Sequence, residues 1–380
     1  MRFAVLDSWR GLAALIVALH HFNAFGYFYD LGLIRNAYLF VDFFFVLSGF
    51  VIAHAYYSRL SGPKNLGPFM VRRFGRVWPL HAFMLALFVA FPLAEWAGCR
   101  ATRLCGVQWP FDSEHGLATI VSNLLLIQSL GIYDHLSWNW PSWSISTEFY
   151  TYLLFALVCI SARTVIILIA VGAILASAAI VALLAPEGMN TTYDYGYFRC
   201  VMGFFAGFLV LRWCQARPIA MSNREATALE IISVLIVLAF VSLVGKSRVA
   251  MFAPLIFSLC VFVFSHEAGS LSRLLRTPFM LKLGERSYSI YMVHAFLLIV
   301  LLRVVSAIEK FSGTGLRIDV GRPAKLYYIG DRLLMDGAAV VYLLTVIALA
   351  SLSYRFVESV ARRAFNRWAQ ALEDRRLGAT

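Results

Sequence analysis

Charge is what this sequence has least of. Only 14% of its 380 residues are Asp, Glu, Lys or Arg, while 61% are hydrophobic and the mean hydropathy is +0.74. A soluble domain carries about 25% charged residues, so a water-soluble enzyme is excluded. Acidic residues are the scarcer sign, 21 against 33 Lys and Arg, leaving a formal charge of +12. That surplus does not call for nucleic acid, and none is expected as a partner, because membrane proteins gather Lys and Arg in cytoplasmic loops. Ser/Gly linkers, low-complexity runs and internal repeats are also missing. The six cysteines show no metal-site spacing with histidines, so no metal is expected. Cys159, Cys200, Cys214 and Cys260 fall in or beside apolar runs, where Cys acts as a small hydrophobe, and none sits beside a base as a nucleophile would. Cys99 and Cys105 share one loop; their spacing permits a disulfide in an oxidising compartment without requiring it. No signal peptide is expected, since the first apolar run carries Arg10, His20 and His21 and no small-residue cleavage site follows.

What the chain has is apolar runs. They predict an all-α integral membrane protein, a bundle of about ten transmembrane helices at roughly 11–28, 37–56, 77–97, 143–161, 164–185, 197–212, 229–244, 250–266, 286–307 and 333–353. The stretch Gly116–Gly131 is apolar but short, suiting an interfacial or re-entrant segment. With the N-terminus inside, inner segments hold Arg59, Lys64, Arg72, Arg73, Arg76, Arg163, Arg212, Arg217, Arg224, Arg273, Arg276 and Lys282. Outer loops hold fewer, chiefly Arg317, Arg322 and Lys325, so both termini are expected in the cytoplasm. Residues 1–356 then form one membrane domain and 357–380 a short charged tail, helical or mobile.

Ionisable residues inside the apolar runs single out a site. Arg10 and His21 are eleven residues apart, about 3.06 helical turns, so their side chains differ by only about 20° around the axis. The same interval rises about 16 Å, which would put an arginine at the membrane boundary and a histidine near the midplane. Such groups are costly in lipid and belong against protein or a wet cavity. His20 points about 80° from the Arg10 face and ranks second. Entering from the outer side, Asp42 lies about 7 Å deep, Ser48 with Gly49 about 16 Å, and Glu148 about 8 Å; His294 rises about 12 Å from the inner side. Four polar groups from four helices, His21, Ser48, Glu148 and His294, thus approach the midplane from both faces, as a two-substrate site would need. Simpler readings stand beside these. Glu148 can cap a helix or pair with an arginine, and Ser48-Gly49 can be a small-residue helix contact. His294 can be a core residue bonded to Tyr288 or Tyr291, Trp138, Trp140 and Trp143 can form an aromatic belt, and Arg73 and Arg76 can merely satisfy the charge rule.

Six elements in order resemble the acyltransferase-3 family of membrane acyltransferases. Leu6-Asp7-Ser8-Trp9-Arg10-Gly11 with His21 resembles its Arg-x10-His opening, Phe44-Phe45-Val46-Leu47-Ser48-Gly49 its Phe-Phe-x-x-Ser-Gly element, and Arg73-Phe74-Gly75-Arg76 its Arg-x-x-Arg loop. Trp143-Ser144-Ile145-Ser146-Thr147-Glu148 resembles its Trp-Ser-x-Ser-x-Glu segment. The runs Ser287–His294 and Ser353–Glu358 are similar to its late motifs. The resemblance implies ten membrane helices and transfer of an acyl group, most often acetyl, from cytosolic acetyl-CoA or another acyl-CoA to a carbohydrate hydroxyl. Implied acceptors are a polysaccharide, an O-antigen or a lipid-linked oligosaccharide, and the implied location is a bacterial inner membrane. The chain ends about 25 residues after its last expected helix, so the extracytoplasmic SGNH domain of some members is not expected.

Residue chemistry suits this activity. A sugar hydroxyl needs a base, and a histidine titrating near neutrality can serve, so His21 is the expected general base. Arg10, Arg73 and Arg76 offer permanently charged forks for CoA phosphates. Glu148 would orient His21 or the acceptor, and Ser48 would hydrogen-bond the thioester oxygen. Asp7, His20, Asp42, Ser146 and His294 are further candidates. Direct transfer and a relay through an acyl-enzyme both remain open. A proton-coupled transporter or lipid-carrier flippase would also carry His, Glu and Arg in such a bundle.

Overall fold

The computed structural model describes residues 3–102, 109–217, 221–320 and 325–377; Cys105 and Arg322 lie outside them. Among the described residues the chain is all-α apart from one antiparallel hairpin of two-residue strands. Its helices are α1 (Ala4–His21), α2 (Tyr27–Asp30), α3 (Gly32–Arg35), α4 (Phe40–Tyr56), α5 (Leu66–Thr102), α6 (Leu117–Leu124), α7 (Trp143–Ser161) and α8 (Ile166–Leu184). Then follow α9 (Gly196–Ala216), α10 (Asn223–Val244), α11 (Ala253–Phe264), α12 (Ser270–Leu275), α13 (Pro278–Glu285), α14 (Ser287–Ser312), α15 (Arg332–Ser353) and α16 (Ser359–Leu377). Strands β1 (Arg317–Ile318) and β2 (Leu326–Tyr327) pair between α14 and α15.

Among the described residues, eight helices are long and apolar enough to cross a membrane. They coincide with eight of the ten expected segments. The other two are weaker. The segment expected at 250–266 is an apolar helix of shorter length, Arg248–Phe264, and the first carries Asp7 and Arg10.

The residues form two compact units. The first comprises Met1–Val51, Glu187–Asn190 and Gly203–Leu352; the second comprises Ile52–Pro186, Thr191–Met202 and Ser353–Thr380.

In the first unit, α1 packs on α13 and α14. Glycines permit that approach: a Cβ on Gly11 would lie 2.7 Å from the Gly284 nitrogen. The α4–α9 contact is closer still, since a Cβ on Gly49 would overlap the Phe204 carbonyl and one on Gly207 the Val46 carbonyl. Lipid gives helices no hydrophobic reason to associate, so close backbone packing between small residues supplies the attraction. A capping box of Ser222 and Glu225 starts α10, and Gly313, left-handed at φ 70°, ends α14. Glu230, fully buried on α10, accepts from the Gly269, Leu271 and Ser272 amides at 2.9, 2.9 and 3.2 Å. It thereby closes the N-terminus of α12, where a helix leaves donors unpaired.

The start of the chain departs from expectation. The helix expected at 11–28 runs from Ala4 to His21, so Arg10 lies inside it and His21 ends it. Apolarity continues through Phe22, Phe25 and Phe28, which is why the sequence extends the helix there. Long-range pairing takes that backbone instead. Tyr327 N–H donates to the Asn23 carbonyl at 2.8 Å, and Phe25 N–H donates to the Tyr327 carbonyl at 2.9 Å. Asp336 of α15 then accepts from the Tyr27 and Phe28 amides, capping α2.

In the second unit, α5 is a single helix of 37 residues. The span expected at 77–97 is therefore preceded by helix where a loop was expected, and Arg72, Arg73 and Arg76 ride on it. Arginine is a good helix former, and charged turns can extend a membrane helix beyond the apolar layer. The expected charged tail is likewise helical. A π-turn at Tyr354–Glu358 leads into α16, which packs along α5. There Arg72 donates to both Glu373 carboxylate oxygens at 2.5 and 2.8 Å, and Gly75 leaves room for Phe365. The Gly116–Gly131 stretch forms only the eight-residue α6 followed by turns, too short to span. Cys99 is disulfide-bonded.

Candidate functional site

Both residues of the opening motif lie on α1 of the first unit, so the interval of eleven residues sets their relation as the sequence predicts. Arg10 donates from Nε to Ser287 Oγ at 2.8 Å and from Nη2 to the Gly284 carbonyl at 3.4 Å, and it pairs with Asp7 at 3.2 Å. Gly284 lies in the last turn of α13 and Ser287 begins α14, so the guanidinium sits over the joint between them. The Arg10-Gly11 dipeptide acts as a unit: Gly11 brings the backbones together and Arg10 bonds across the contact.

At the other end of α1, His21 Nδ1 lies 2.9 Å from the Val17 carbonyl. A carbonyl only accepts, so Nδ1 carries the hydrogen and Nε2 keeps its lone pair. His294 of α14 brings its Nε2 to 3.3 Å from the same Nδ1, with ring centroids 5.1 Å apart. His294 is fully buried, packs on the Tyr291 ring at 5.8 Å, and its carbonyl accepts from Tyr342 Oη at 3.4 Å. His21 is only partly buried. His20 turns away, its Nδ1 2.7 Å from the Ile34 carbonyl at the end of α3, with its ring edge-on to His21. On α4, Asp42 is fully buried and Ser48 half-buried.

The remaining expected residues belong to the second unit. Arg73 donates to Tyr56 Oη at 3.3 Å, its guanidinium stacked over the Tyr56 and Tyr152 rings at 5.1 and 5.9 Å. Arg76 forms an ion pair with Glu358, whose side chain is 1% exposed. Ser146 is engaged structurally: its hydroxyl donates to the Leu126 carbonyl at 2.6 Å and accepts from Ser129 N–H at 3.3 Å. That fixes a turn containing Leu126 at a strained φ of 58°. Glu148, half-buried on α7, makes no hydrogen bond or ion pair with the described residues.

Of the four groups expected to converge, the structure thus brings His21 and His294 together. Sequence reasoning missed Val17, Gly284 and Ser287 as the groups that orient Arg10 and His21. Ser287 opens the late motif ending at His294, and that shared motif was the available signal. It also missed Arg199, fully buried with its guanidinium 5.4 Å from the Trp143 ring centre and donating to the Thr191 carbonyl at 3.2 Å. The signal there was an arginine inside an apolar run, of the kind that singled out Arg10.

Residues 3–355 match the family model described as an acyltransferase domain. Protein 2 in picA locus of Rhizobium radiobacter is 34% identical over 158 residues, covering 39% of this chain and 77% of that protein. Acyltransferase MdmB of Streptomyces mycarofaciens is 32% identical over 168 residues, covering 41% of this chain and 39% of that protein. No solved structure matches the chain. The family match favours acyl transfer over the transporter alternative. With the run of long apolar helices and a match over nearly its whole length, the chain belongs to the acyltransferase-3 family and is a multi-pass membrane acyltransferase.

Proposed function

We propose that the protein moves an acyl group, most often acetyl, from cytosolic acyl-CoA to a hydroxyl of a surface or lipid-linked carbohydrate. His21 is the general base. The observation that carries this role is the Nδ1 hydrogen bond to Val17, which leaves the Nε2 lone pair to take a proton. Nε2 removes the acceptor hydroxyl proton as the oxygen attacks the thioester carbon. The C–O bond forms, the C–S bond breaks, and the proton passes from His21 to the departing CoA thiolate. This sequence needs no acyl-enzyme.

Arg10 has its fork aligned by Ser287 and Gly284 and is assigned to donor phosphate. Arg73 is a second cation for the donor, whereas the ion pair with buried Glu358 favours a structural role for Arg76. Ser48 is assigned to the thioester oxygen and Glu148, with no partner among the described residues, to the acceptor hydroxyl. The proposed setting is a bacterial inner membrane with both termini cytoplasmic, as the distribution of Lys and Arg favours. Mass spectrometry of surface glycans from cells with and without the gene tests the reading. Loss of an acyl substituent on deletion, restored by the wild-type gene, is expected; identical glycans would contradict it.

A further inference from the structure

We propose that His294 is the positioning partner of His21, the acceptor that holds its Nδ1–H and so keeps Nε2 available as the base. This rests on the general-base reading of His21 and deepens it. Hydrogen bookkeeping leads there. Val17 can only accept, so the hydrogen sits on His21 Nδ1, and His294 Nε2, 3.3 Å from that nitrogen, has to face it with a lone pair. The hydrogen of a neutral His294 is then on its Nδ1.

The pair matters most once His21 has taken a proton at Nε2. A partly buried imidazolium needs acceptors for those N–H groups that water does not reach. His21 would keep two for Nδ1–H, the Val17 carbonyl and His294 Nε2, both in place before reaction and costing no reorganisation. A base held by a third group recurs in nucleophilic sites, where that group is usually a carboxylate. Here the third group is a neutral ring, which orients His21 without adding a negative charge beside it. His294 is fully buried and packs on Tyr291, and its backbone carbonyl is bonded by Tyr342, whose ring stacks on Phe22 at 4.6 Å; its Nδ1 is buried with no hydrogen-bond partner among the described residues. Among the described residues, His20 on α1 and Tyr291 on α14 lie against the two rings, and Tyr342 on α15 bonds the His294 carbonyl.

Steady-state acyl transfer by purified protein, with acyl-CoA and a carbohydrate acceptor, tests the proposal. Gln carries an amide oxygen near the place of Nε2, whereas Leu and Met fill space without accepting. We expect His294→Leu to lower kcat by about 10²-fold, within the range that acid–base groups command, while KM for acyl-CoA stays within about twofold. His294→Met should behave alike, which covers a folding failure of either apolar variant, and His294→Gln should recover to within about tenfold of wild type. In a His21→Ala background, adding His294→Leu should change the residual rate by less than about twofold, because the two residues act as one unit. Wild-type kcat in the apolar variants, a Gln variant no better than Leu, or an additive loss in the His21→Ala background would each overturn the pairing. Full activity in His21→Ala itself would instead overturn the general-base reading, so the two failures are separable.

Discussion

Arg10 Nε donates to Ser287 Oγ across 2.8 Å, and that one bond joins the first conspicuous motif of the chain to the motif that ends at His294. The two are 277 residues apart in sequence. The bond makes α1 and α14 a single frame, and the same two helices present His21 and His294 to each other.

Lysine cannot reproduce that bond, because it lacks the planar fork that reaches Ser287 and Gly284 together. Arg10→Lys should lower stability by about 1.5–3 kcal/mol, the worth of hydrogen bonds to a charged group. Its CoA affinity should also fall. Thermal-shift titration with CoA reads both quantities. Equal melting temperature and equal affinity in the variant would remove Arg10 from both roles.

Gly11→Ala forces a methyl against the Gly284 backbone, where neither helix can yield locally. Overpacking of this kind costs about 1–3 kcal/mol. Gly62→Ala, where a Cβ meets nothing within 4 Å, serves as the control. Thermal unfolding in detergent should show a lower midpoint for Gly11→Ala alone; equal midpoints would contradict the close approach.

The Arg76–Glu358 pair should behave as structure. Removing one partner of a buried pair costs about 3–5 kcal/mol because the other charge is stranded. Glu358→Ala should therefore destabilise strongly, and the Arg76→Met/Glu358→Leu double variant should recover most of the loss with CoA affinity retained. A double variant that is stable but has lost CoA binding would return Arg76 to the donor site.

Much of the frame was legible locally. Helices α7 and α8 lie within two residues of the segments expected, because long apolar runs with polar ends leave little choice. The end of α1 was not legible. Phe22, Phe25 and Phe28 read as more helix, and only the hairpin near Tyr327 and the carboxylate of Asp336, more than 300 residues on, show why the helix stops. The arginines of α5 misled in the opposite sense, since charge marks where the apolar layer ends and not where the helix does. For the site, spacing along one helix placed Arg10 and His21 together. The facing of His21 and His294 depends on how α1 packs against α14, which no periodicity encodes.

Sidedness has a direct test. Asp134, whose side chain is 99% exposed, is expected outside, and exposed Lys64 inside. After replacing background cysteines, a membrane-impermeant thiol reagent on intact cells should label Asp134→Cys and spare Lys64→Cys. The reverse pattern would overturn the cytoplasmic placement of the termini.

The central claim, that His21 is the base for acyl transfer, is tested most directly by the single-turnover rate of purified His21→Ala at saturating acyl-CoA and acceptor. Loss of a general base is expected to slow transfer by about 10²–10⁴-fold. CoA affinity and melting temperature should stay close to wild type, since the missing group is chemical. A transfer rate near wild type in that variant would contradict the account.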